Sequence, residues 1–154
     1  MQPVTQPTVK VQLLCDEAQL PVRKHATDAG MDIHSCEEIL IKAFDPNGPE
    51  EGHRVMVRTG LAFGIPYGTG MFIWDRSGMA AKHGIHRVAG VLDESYTGEL
   101  KIALVNLSNK DYLIKVGDRI AQAVISPVLL PTLKQVDLLE ETIRGSGGFG
   151  STGR

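Results

Sequence analysis

The sequence predicts one all-β domain, and three observations carry that expectation. From 54 to 63 the apolar residues Val55, Val57, Leu61 and Phe63 alternate, with Thr59 completing the row. Strand side chains point alternately to opposite faces, so this row faces one core. Leu100, Ile102 and Leu104 repeat the pattern, while Ala103 and Val105 line the other face. Finally, turn clusters at 45–52 (DPNGPEEG), 65–70 (IPYGTG), 107–111 (LSNKD) and 115–118 (KVGD) separate these runs from shorter apolar ones at 9–14, 39–41, 71–74 and 121–128. Many short strands joined by Gly- and Pro-bearing turns imply a sandwich or barrel. Only 77–83 reads as helical, and it is barely two turns long. No repeat period or linker divides the chain.

Composition narrows the function classes. With 154 residues, 42% hydrophobic and 22% charged, the chain has the size and balance of one globular domain. Its 16 basic and 18 acidic side chains leave a formal net charge of −2, which gives no global attraction to nucleic acid or a membrane surface. A charged ligand must therefore be held by a local site. The apolar runs are too short to span a bilayer, and the first residues lack a signal or transit pattern, so a cytoplasmic protein is expected. Cys15 and Cys36 read as two reduced thiols of an intracellular protein rather than a disulfide framework.

Four segments carry candidate chemistry. In 75–84 (DRSGMAAKHG) a Ser-Gly pair opens the short helix, offering free N–H groups and a positive dipole end to an anion; Arg76 and the Ser77 hydroxyl add donors. The plainer alternative makes Ser77 an ordinary helix cap. Residues 90–104 (GVLDESYTGELKIAL) read as a β-hairpin, with Asp93 ending the first arm and Tyr96 in the turn. Within 117–125 (GDRIAQAVI) Gln122 is the one strongly polar residue of a strand after Asp118 and Arg119, and it needs a partner if it faces inward. In 144–153 (RGSGGFGSTG) glycines let backbone N–H groups approach phosphate oxygens, and Phe149 is an aromatic ring a solubilising tail would not need. The five histidines, lacking zinc-like spacing, read as surface residues.

Taken in order, these segments resemble the signature of the trimeric dUTPases. The five motifs of that family fall at 28–33 (DAGMDI), 75–80 (DRSGMA), 90–100 (GVLDESYTGEL), 117–125 and 144–153, so the resemblance spans roughly residues 9–153. It implies a distorted jelly-roll (β-clip) subunit with one short helix and a glycine-rich C-terminal arm, a β domain over 1–144 and a flexible arm over 145–154. It further implies a homotrimer whose three active sites are each assembled from all three chains. The reaction implied is hydrolysis of dUTP to dUMP and pyrophosphate, which limits uracil in DNA and supplies dUMP for dTMP synthesis.

In that picture Asp93 orients and deprotonates a water that attacks the α-phosphorus, while Arg76, Ser77, Gly78 and Gln122 hold phosphates. Gly90, Val91, Leu92 and Lys101 belong to the segment that reads uracil, and Tyr96 packs against the deoxyribose. Arg144, Gly150, Ser151 and Thr152 close on the phosphates and Phe149 covers the base. Mg²⁺ is held mainly by the phosphates, with Asp32 reaching it through water. The physical logic agrees: a triphosphate needs cationic donors and a metal, and a water-positioning carboxylate suits hydrolysis without a covalent intermediate.

The sequence departs from the family pattern at Asp75, where proline is usual, at Thr97, where arginine is common, and at the longer 45–52 loop. That loop leaves room for a protein partner and a regulatory role. Among enzymes, a dCTP deaminase is the rival reading, but it requires a different acid–base residue in the 90–104 segment.

Overall fold

The structure, a computed structural model, describes residues 7–48 and 52–148. Among these residues it is the expected all-β architecture with a single short helix. Ten strands run β1 (Lys10–Leu13), β2 (Met31–His34), β3 (Ile39–Ile41), β4 (Arg54–Gly64), β5 (Thr69–Trp74), β6 (Ile85–Arg87), β7 (Val91–Leu92), β8 (Glu99–Asn106), β9 (Tyr112–Ile114) and β10 (Arg119–Pro127). Helix α1 (Ser77–His83) lies between β5 and β6. One sheet has the order β1-β4-β8-β6, a second β2-β10-β5-β7, and β3 pairs with β9. The pairings are all antiparallel, so alternating strands can bury one face between layers.

The core comes from the predicted rows. Val57, Leu61, Phe63, Leu100, Ile102 and Leu104 are buried, joined by Ile33, Ile41, Met71, Ile114 and Ile120. Truncating one of these large side chains to Ala costs about 2–5 kcal/mol. Thr59 is fully buried in the same row; its hydroxyl donates to the Leu100 carbonyl at 2.6 Å and accepts from the Leu61 N–H at 3.2 Å, so the buried polar atom is satisfied. The β4–β8 ladder shifts register between Arg58 and Leu61, which pair with Lys101 and Leu100. Thr59 and Gly60 form the resulting bulge, and Gly60 takes φ +65°, a left-handed conformation suited to glycine.

One expectation is corrected. Residues 90–104 are not a hydrogen-bonded hairpin. β7 pairs with β5 (Met71↔Leu92, Phe72↔Val91), while β8 pairs with β4 and β6 in the other sheet. The loop between β7 and β8 therefore bridges the two sheets. A two-residue strand carries too little pattern for sequence alone to name its partner.

Beyond β10 the Val128 N–H still donates to the Gly68 carbonyl at 3.0 Å. Residues 129–148 then contain no strand or helix, and Leu129, Leu133 and Leu139 are exposed.

Candidate active site

Two clefts hold most of the described site residues, and the course of β5 separates them. At the first, the β7–β8 loop forms a cleft of about 320 Å³ lined by Val91, Leu92, Asp93, Tyr96 and Lys101 together with Met56, Glu99 and Leu100. The loop is held at several points. The Tyr96 N–H donates to the Asp93 carbonyl at 3.1 Å, and the Tyr96 hydroxyl donates to the Glu99 carbonyl at 3.0 Å. Glu94 accepts the Gly68 N–H at 2.9 Å, tying the loop to the β4–β5 turn. A Cβ on Gly98 would lie 2.6 Å from the Tyr96 hydroxyl oxygen, so glycine there lets the ring fold back over the chain. Asp93 is exposed at the rim, and the Gly90 carbonyl accepts the Ile73 N–H at 2.7 Å.

The second cleft, about 420 Å³, is lined by Asp32, Arg76, Ser77 and Gln122 together with Lys24, Asp28, Ala29, Gly30 and Arg119. Its charges are interlocked. The Arg76 Nε lies 3.0 Å from one Asp32 oxygen and the Arg119 guanidinium 3.3 Å from the other. Arg76 also donates to the Arg119 carbonyl at 3.4 Å. Gln122 donates to the Asp75 carbonyl at 2.9 Å, so the expected inward polar group has its partner. A Cβ on Gly30 would meet the Gln122 amide oxygen, so a larger residue there must displace that side chain.

Arg76, not Ser77, is the N-cap of α1, and no side chain caps that end. Ser77 and Gly78 are exposed just beyond it. Asp75 is turned away from the cleft: its carboxylate accepts the Arg87 N–H at 2.7 Å and lies 2.9 Å from His86 Nδ1.

His34 corrects the surface reading of the histidines. It is half-buried beside Asp32, and its Nδ1 is buried without a partner. Burial holds its pKa below the ordinary histidine value; Asp32 raises it, whereas Arg119 and Arg76 lower it. Arg119 and Lys24 were missed as candidates. Arg119 carried a signal, since it sits in the same segment as Gln122, while Lys24 had none.

The two clefts share no residue. Antiparallel pairing places Leu92 opposite Met71, so Asp93 stands one step further, beside Gly70, whereas Arg76 follows the other end of β5. Six residues of extended chain span about 20 Å. Arg144 joins neither cleft; its Nε donates to the Gly147 carbonyl at 2.9 Å in an exposed turn. Phe149, Gly150, Ser151 and Thr152 lie outside the described residues, as does part of the 45–52 loop.

The dUTPase family profile matches residues 16–153. The chain belongs to the dUTPase family. Among curated family members, the deoxyuridine 5′-triphosphate nucleotidohydrolase of Nautilia profundicola is 43% identical over 148 residues, covering 95% of this chain and 99% of its own. The enzyme of the same name from Saccharomyces cerevisiae is 43% identical over 146 residues, covering 94% of each chain. In structure, a dUTPase variant of Staphylococcus bacteriophage 80alpha solved with dUpNHpp superposes with a TM-score of 0.85 at 30% identity, covering 97% of this chain and 100% of that one. A phage phi11 dUTPase variant described with a structural Mg(II) ion gives 0.76 at 29%, covering 88% and 100%. Family membership and the shared fold thus agree with the motif order.

Proposed function

We propose that this chain is a dUTP diphosphatase, cleaving dUTP to dUMP and pyrophosphate in a site assembled from several copies of itself. The observation that carries the composite site is the separation along β5. The Asp93 loop and the Arg76 cluster of one chain stand about 20 Å apart, too far for both to grip one triphosphate. A homotrimer, in which the Asp93 loop of one copy faces the Arg76 cluster of another, closes that distance.

In this reading the 90–101 segment holds the nucleoside, with the Tyr96 ring against the sugar and the backbone of Gly90 to Leu92 toward the base. Asp93, exposed at the rim of that cleft, positions the attacking water and takes its proton. Arg76, Ser77, Gly78 and Gln122 bind phosphate oxygens, with Arg119 and Lys24 adding positive charge. Arg144 and the arm over 145–154, with Phe149 on the base and Gly150, Ser151 and Thr152 on the phosphates, close the site and exclude water.

Magnesium suits the donor set. Among the described residues no three His, Cys, Asp or Glu side chains gather as a metal site. Asp28 and Asp32 are the acidic groups of the phosphate-side cleft, so an ion carried by the phosphates would meet Asp32 through water. Bound there, Mg²⁺ supplies charge neutralisation to the leaving pyrophosphate.

No helix among the described residues is long and apolar enough to cross a membrane, and both cysteines are free thiols, which fits a cytoplasmic nucleotide enzyme.

The test is pyrophosphate release from dUTP, dCTP, dTTP and UTP, with and without a chelator. Release from dUTP alone, lost with the chelator, is expected. Ammonia release from dCTP would replace this reading with a deaminase, and no turnover of any of the four would leave a binding protein.

A further inference from the structure

Away from both clefts, the two cysteines of the chain meet. The Leu14 N–H donates to the Gly60 carbonyl at 2.8 Å and the Cys36 N–H to the Arg58 carbonyl at 3.0 Å. Two segments distant in sequence thus hang from the same bulge of β4. Their sulphurs converge over Gly60, where a Cβ would lie 2.5 Å from the Cys15 sulphur and 3.4 Å from that of Cys36. The Cys15 thiol lies close enough to raise the pKa of Cys36. Neighbouring thiols on anchored backbones need only rotamer changes to approach disulfide geometry.

We propose that Cys15 and Cys36 are a redox modification site, which hydrogen peroxide converts from two thiols to one intrachain disulfide. The two cysteines are unequal. Cys36 is buried, and burial together with the adjacent Cys15 thiol pushes its pKa up to about 11, so it is a poor first nucleophile. Cys15 is only half-buried and meets the oxidant first. Its thiolate attacks one peroxide oxygen, the O–O bond breaks, and the leaving hydroxide takes up the proton lost by the Cys15 thiol as a first water, which leaves a sulfenic acid on Cys15. The Cys36 sulphur then attacks the sulfenic sulphur; the S–O bond breaks, and the hydroxyl leaves with the Cys36 proton as a second water. Overall, the two thiols lose two hydrogen atoms and one peroxide becomes two waters.

The position gives the bridge a route to the site. The Gly60 N–H donates to Glu99 at 3.0 Å, and Arg58 grips the same carboxylate at 3.2 Å. Glu99 opens β8 and lines the Asp93 cleft with Leu100 and Lys101. A crosslink over Gly60 therefore tightens the strand bulge on which that cleft rests, and it closes a loop of the unfolded chain.

Peptide mapping of the intact, folded protein tests this. Trypsin separates Cys15, in residues 11–23, from Cys36, in residues 25–42. After hydrogen peroxide the two peptides should appear joined, two hydrogens lighter, and separate again with dithiothreitol. The thermal midpoint of the oxidised protein should rise by roughly 5 °C or more. In Cys36→Ser the chemistry should halt at a sulfenic acid on Cys15, captured as a dimedone adduct. Peptides that stay separate in wild-type protein, with thiols intact or Cys15 carried on to sulfinic acid, would overturn the proposal. A crosslink formed only between different chains would overturn it as well.

Discussion

The Arg76 and Asp93 clefts of one chain lie at opposite ends of the same strand and are held by different forces. Around Arg76 the order is electrostatic: Asp32 sits between two guanidinium groups and serves as their counter-charge. Around Asp93 the order comes from backbone, a short β7 docked on β5, a tyrosine folded over a glycine, and a glutamate holding a turn N–H. The first arrangement attracts an anion but tolerates many; charge is long-ranged and indifferent to shape. The second, with Asp93 and Glu99 against Lys101, has no net positive charge to attract an anion, but fixed donors and acceptors there can tell one base from another. Attraction and discrimination thus fall to different ends, and the composite site proposed above would bring them together.

That division can be broken from either side. Asp93→Asn should have the largest effect, lowering kcat by about 10²–10⁴-fold while a non-hydrolysable dUTP analogue binds nearly as well. Calorimetry beside a turnover assay checks it; a variant with more than about a tenth of wild-type turnover would remove Asp93 from the role of base. Deleting 145–154 should come next, with turnover down about 10²-fold and an unchanged trimer mass by light scattering, because closure over the triphosphate is lost. A monomer mass for the fully active intact chain would instead defeat the shared site.

Smaller effects should separate the two ends. In Gly30→Ala the new methyl pushes Gln122 from its place, and KM should rise about 10-fold, for dUTP and UTP alike, with kcat less affected; this is one order of magnitude, about 1.4 kcal/mol. In Gly98→Ala the methyl meets the Tyr96 hydroxyl. The expected result is a few-fold loss of preference for dUTP over UTP, about 1 kcal/mol, with the salt dependence of KM unchanged. A loss of the preference for dUTP in Gly30→Ala equal to that in Gly98→Ala would show that the ends are not distinct.

Much of this was legible before any coordinates. The helix over 77–83 and the strand over 39–41 occur at the expected limits, because a Ser-Gly start and a compact apolar run between turns are local signals. β2, β6 and β9 were not foreseen: MDIH, IHR and YLI are three or four residues long, too short to show a period. The grouping of Asp32, Arg76, Ser77 and Gln122 followed motif order, but the Asp32–Arg119 contact joins opposite parts of the chain and leaves no trace in spacing. The supposed hairpin failed for a related reason. Alternation says which face a strand buries and is silent on its neighbour.

The bulge at Thr59 and Gly60 has a further consequence, for the lengths this strand can take. It inserts two residues into β4 relative to β8, so Val57 and Leu61 keep the same side of the sheet across it. Removing one of the pair would reverse the parity of everything before it, carrying Arg54, Met56 and Arg58 inward and Val55 and Val57 out to water. Removing both would keep the parity, at the cost of the kink, the Thr59 hydroxyl bonds and the Gly60 bonds to Leu14 and Glu99. Along this strand, insertions and deletions should therefore be tolerated in even steps and rejected in odd ones.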